Sequence, residues 1–131
     1  MLTITQQLAD TLAEEAINNG GATLTLNGET VKDGYIIGGG IIKDGDALAK
    51  IDAAESNRMI AARIYLTLLR NRKELQNLDG IGVWLNDGVI YLDAITIEAN
   101  FIKAVTKGLS RQQQAIGGLV NGVYTEYNLD N

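Results

Sequence analysis

The sequence predicts an α+β fold: a single domain over residues 1–131 in which a mostly antiparallel sheet, built from two hairpins and a terminal strand, carries helices packed on it. Three observations lead there. Apolar residues recur at helical spacing over 4–19 and 57–77. They alternate at period two over 22–26 and 89–97. Asn27-Gly28 and Asp87-Gly88 sit between strand-like stretches, and such dipeptides accept the positive φ of tight hairpin turns. A chain of this length buries about 65–70% of its unfolded surface around one core, so it needs no disulfide or metal to fold.

In chain order, Ile4, Leu8, Leu12, Ala16 and Ile17 form one stripe of an amphipathic helix, with Thr3 or Thr5 as N-cap and Asn18-Asn19-Gly20-Gly21 as its end. A half-buried strand over 22–26 and the Asn27-Gly28 turn follow, with a return strand beginning at Thr30 or after Gly34. Gly38-Gly39-Gly40 then separates two apolar pairs. A phosphate loop would require Lys-Ser/Thr opening the next helix, which is absent, so a bend or close backbone approach is the expectation. Asp44, Gly45 and Asp46 resemble a fragment of a calcium loop without its distal Glu, and Asp46 is expected to cap a helix instead. Residues 46–78 read as helical with a break near Ser56, which caps a second helix over 57–77. Asp87-Gly88, flanked by 82–85 and 89–97, marks a hairpin whose second strand is apolar on both faces and therefore central. Residues 98–108 read as a short helix with Phe101, Ile102 and Val105 inward, 110–116 as a polar turn or strand, and 120–127 as the last strand.

Composition narrows function. The chain has no His, Cys or Pro, which removes the imidazole base, the thiolate nucleophile and the Cys/His zinc site, so no catalytic residue, metal or cofactor is assigned and the expectation is binding, not an enzyme. Net charge is −5, distributed as −6 over 1–55, +3 over 56–111 and −2 over 112–131. That balance disfavours nucleic acid, which calls for a basic face, and suits a homo-oligomer or an oppositely charged partner. Arg58, Arg63, Arg70, Arg72 and Lys73 cluster within sixteen positions, but Glu74 stands among them and a solvated helix flank explains them. No run approaches the length of a membrane span, so no membrane association and a cytoplasmic location are expected.

For a ligand, the expected site is where a Trp/Tyr hairpin face meets a polar segment: Trp84, Tyr91, Arg111, Gln112 and Gln114. Arg offers a bidentate fork for carboxylate or phosphate and Gln both donor and acceptor. The plainer alternative is that Trp84 anchors the core and the Gln run is a solvated loop. Asp93 is conspicuous in an apolar strand, as hydrogen-bonded structure or, paired with Glu98, as the nearest carboxylate couple to test for catalysis.

Gly20-Gly-Ala-Thr through Gly34-Tyr-Ile-Ile-Gly38, then Gly82-Val-Trp84, Tyr91-Leu-Asp93, Gln114-Ala-Ile116 and Asn121-Gly122, resemble small accessory proteins encoded by actinobacterial phages and prophages. The resemblance covers roughly residues 20–122 and implies a mobile-element origin without supplying a site. This chain departs from the group at Gly117-Gly118, where an aromatic is common. The functional expectation is a phage-type protein acting stoichiometrically on a host protein or small signalling molecule, as a host-defence antagonist would. The alternative is a structural or assembly component of a virion.

Overall fold

A computed structural model describes residues 2–130 as an α+β domain, as the sequence predicts. Helix α1 (Gln6–Asn19) is capped by the Thr5 hydroxyl, which accepts the Leu8 N–H, and ends at Gly20 in the left-handed region. Strands β1 (Gly21–Thr25) and β2 (Gly34–Ile37) follow, then a 3-10 turn at Lys43–Gly45 and β3 (Ala49–Asp52). Ser56 caps α2 (Asn57–Arg70), accepting the Met59 N–H, and α2 breaks at Asn71 before the single turn α3 (Arg72–Leu75). The chain closes with β4 (Gly80–Asn86), β5 (Val89–Glu98), α4 (Phe101–Ser110), β6 (Ala115–Val120) and β7 (Val123–Asn128).

All strand pairs are antiparallel, in the order β1-β4-β5-β2-β6-β7. The ten-residue β5 is the spine. One edge pairs with β4 throughout, from Gly80↔Ile95 to Asn86↔Val89. The other is shared: β3 pairs with Val89–Leu92 and β2 with 96–98, leaving 93–95 between them without a strand partner on that side.

The helices pack on one face. Ile90, Leu92 and Ala94 of β5 join Leu12, Ile60, Ile64 and Leu68 of α1 and α2 in the main core. On the same side of the pleat, Ile37 and Ile116 meet Ala104 of α4 in a smaller second core. Among the described residues no helix covers the opposite face, yet Ile36 and Ile95 are buried there. Glycines explain how. Ile95 Cδ1 lies over Gly82 and Ile97 Cγ2 over Gly34, where added Cβ atoms would stand 3.1 and 2.8 Å away, and Tyr124 lies over Gly117 in the same manner. The sheet thus covers its open side with its own flattened side chains.

Several local expectations are corrected. Asn27-Gly28 returns the chain only as far as a Leu24↔Thr30 bridge, because β1 pairs with β4 and β2 lies across β5. Residues 49–52 are strand, not helix: Ile51 needs burial against Ile90, and Asp46 caps nothing beyond its neighbour Ala47 N–H. The helix expected over 98–108 is α4, which runs through Gly108 to Ser110. Its Ile102 is 70% exposed instead of inward, because the sheet covers only the Ala104–Gly108 side. Asn121-Gly122, expected within one strand, is the turn of the β6–β7 hairpin.

Candidate functional site

The unpaired stretch of β5 is where the chain's polar chemistry gathers. In place of a neighbouring strand, the segment 38–48 closes the gap: Leu48 N–H donates to the Leu92 carbonyl (2.8 Å) and Gly39 N–H to Asp93 Oδ1 (3.1 Å). Asp93 is therefore a substitute rung of the sheet, and it is only 3% exposed. Burial lifts its pKa to about 6, opposed by the amides of Gly39 and Ala94 and by the Arg111 charge, while Asp46 pushes it further up. Gly38 has no alternative here, since a Cβ would run into Asp93 Oδ2 and stand 3.0 Å from Gln113 Oε1.

Behind the glycines stands the link between α4 and β6. Gln113 donates through Nε2 to the Gly45 carbonyl (2.8 Å), tying that link to the 3-10 turn. The Arg111 guanidinium lies flat on Gly40, whose φ is +97°, and a Cβ there would stand 2.9 Å from Cζ. Arg111 Nη1 donates to Thr96 Oγ1 (2.9 Å). Burial lowers the pKa of Arg111, and Asp93 and Asp79 oppose the shift from a distance, but a guanidinium stays charged at neutral pH. Among the described residues it has no carboxylate within 4 Å: the ion pairs are Lys50–Asp46, Arg63–Glu55 and Lys107–Glu98.

Arg111 and Gln112 form one wall of a cleft of about 270 Å³, and Gly40, Ile41, Ile42, Asp44 and Gly45 form the other. Among the described residues, four that are not glycine have positive φ. Asp87 and Asn121 belong to hairpin turns; Asp44 (65°) lies in the turn closed by Gly45 N–H on the Ile42 carbonyl, and Gln112 (58°) takes the left-handed position that ends α4, where Gln113 N–H bonds to the Gly108 carbonyl and Gln112 N–H to the Leu109 carbonyl; both line this cleft.

The five residues expected from sequence fall in separate places. Arg111 and Gln112 line the cleft together. Trp84 and Tyr91 instead stack on one another as a cross-strand pair, centroids 5.2 Å apart and 11° from parallel, outside the cleft lining. Gln114 is exposed, outside the lining, and its carbonyl accepts the Leu129 N–H. Sequence reasoning missed Gln113, one position away, because nothing in a Gln run says which member turns inward. It also left the glycine run and Asp93 as unrelated features. Asp93 and Glu98, the carboxylates considered for catalysis, project to opposite faces of β5 by alternation, and Glu98 pairs with Lys107 at 3.4 Å. Among the described residues, no three Asp or Glu side chains converge as a metal site, and no helix is long and apolar enough to cross a membrane.

The chain matches no protein-family model, no curated protein and no solved structure.

Proposed function

We propose that this protein binds a small anion in the Arg111 cleft and acts stoichiometrically, not as an enzyme. The observation that carries the reading is Arg111 itself: a half-buried guanidinium, held flat by Gly40, with one donor bonded to Thr96 and no carboxylate partner among the described residues. A guanidinium placed this way lacks a carboxylate or phosphate oxygen to complete its fork. Asp44 on the facing wall opposes additional negative charge, so the cleft suits a singly charged or zwitterionic ligand better than a polyphosphate. Catalysis is disfavoured because Asp93, whose pKa of about 6 would suit a base, is sealed behind Gly38 and Gly39 from anything in the cleft. Sequestering a charged signalling molecule would fit an accessory protein of a phage or mobile element.

Calorimetric titration of the full chain against carboxylates, phosphate monoesters and amino acids tests the reading. Arg111→Gln is expected to weaken any ligand found by roughly 10–100-fold, the value of a charge-assisted hydrogen bond or two. Asp44→Asn should admit more highly charged anions. Equal affinity in wild type and Arg111→Gln would remove the cleft as the site.

A further inference from the structure

The two ends of the sheet are finished differently. At the β1 end, the returning chain guards the edge: Thr25 N–H donates to the Glu29 carbonyl and Val31 N–H to the Thr23 carbonyl. At the other end, β7 is exposed over 123–126 and has no Pro, Lys or bulge, with Glu126 as its single charge. The β6–β7 ladder tells which groups are free. Leu129 N–H bonds to the Gln114 carbonyl, so the odd-numbered residues of β7 bond inward and Tyr124, Glu126 and Asn128 direct their main-chain groups outward. Above this edge, α4 has an apolar arc that the sheet only half covers. Lys107 and Arg111 reach toward β5, and Phe101 stacks edge-on with Tyr127, 5.2 Å between centroids. Helical spacing then sets Ile102 and Leu109, 70% and 55% exposed, on the β7 side.

We propose that β7 is a homodimer interface, pairing antiparallel with β7 of a second copy about a two-fold axis through Thr125. Charge and register favour a copy of this chain as the occupant. Opposed residues must share a face, so the two positions in each opposed pair have an even sum. Centring on Glu126 would set two carboxylates face to face. Centring on Thr125 sets Tyr124 against the partner's Glu126, and Val123 against the partner's Tyr127 on the helix side. In that register the outward groups of Tyr124 and Glu126 make about four main-chain hydrogen bonds across the axis. Glu126 is the one charge each β7 brings, so two acidic subunits meet along a strip nearly free of charge. Three strand spacings separate β6 from its copy, about 14 Å. That gap between the two α4 helices is floored by Val123 and Tyr127 of each subunit and flanked by Ile102 and Leu109.

Sedimentation equilibrium of the full chain, with circular dichroism as a check on folding, decides the matter. Wild type should be dimeric, and Glu126→Pro, which removes an outward N–H and leaves the β6 ladder intact, should be monomeric. Tyr124→Lys and Tyr124→Glu lose the same ring, but one faces the partner's Glu126 attractively and the other repulsively, twice per dimer. Their dimer affinities should differ by roughly tenfold, with Lys the tighter. This pair decides even if the proline variant fails to fold. A wild type that stays monomeric to roughly 1 mM, whatever peptide it captures, would overturn the interface. So would a dimer that survives a folded Glu126→Pro, or equal affinities for the two Tyr124 variants.

Discussion

The two ends of the sheet carry very different cores. Under α1 and α2, seventeen hydrophobic residues are buried in one cluster, among them Leu12, Ile60, Ile64, Leu68 and Leu92. Under α4 the corresponding cluster is Ile37, Ala104 and Ile116, edged by Tyr35, Val105, Tyr127 and Leu129. The candidate cleft lies on the thin side, where α4 gives way to β6, and Arg111 and Gln113 hang from it. A firm end can thus hold β5 and Asp93 in place while the lightly packed end, with less to lose on opening, presents the binding groups.

The strongest way to break this contrast is from the core. Leu68→Ala should cost about 3–4 kcal/mol in denaturant unfolding, because a fully enclosed side chain leaves a cavity that α1 and α2 cannot close. Ile116→Ala should cost about 2 kcal/mol, since Leu129, which lies beside Ile116 over Gly108, can move into the space. Amide exchange should divide the molecule the same way, fastest in β7 and α4 and slowest in β4 and β5. Equal costs and uniform exchange would mean one cooperative body.

Asp93 sharpens the comparison at the seam. Its native pKa of about 6 lies above the ~3.9 of an unfolded-chain aspartate, so the folded state binds the proton more tightly. The stability from that proton is fully present below about pH 4 and is lost as pH rises through 6, by about 3 kcal/mol. Asp93→Asn keeps an oxygen for the Gly39 N–H, so it should raise stability at pH 7 by about 2 kcal/mol and flatten the profile between pH 4 and 6. A variant that is destabilised at pH 7 would instead show that the charge itself holds the glycine segment. At the small end of the scale, Thr5→Ala removes the acceptor for Leu8 N–H and should cost about 1 kcal/mol, all of it from the firm end.

Local signals carried much of this architecture. The Thr5 and Ser56 caps and the Asp87-Gly88 turn are readable because each depends on residues within a few positions of it. β3 was not readable: Ala49-Lys-Ile-Asp52 is too short to display alternation, and only the neighbouring β5 makes it a strand. The site was half readable. A lone acid in an apolar strand and three consecutive glycines both stand out in the sequence, but the bond between Asp93 and Gly39 spans 54 residues and no local pattern announces it. In α4 the amphipathic arc is plain, whereas which half of it the sheet covers depends on where β2 and β6 lie.

The pairing scheme also bears on how the chain is made. None of β1, β2 and β3 pairs with another of the three; β1 waits for β4, β3 for β5, and β2 for β5 and then β6. A chain emerging from the ribosome therefore has nowhere to lay β1 until β4 is out, β3 until the first half of β5 follows, and β2 until residue 98 is out. The β4–β5 hairpin is the template on which everything earlier in the sequence assembles, and a chain cut short before it has helices but no sheet.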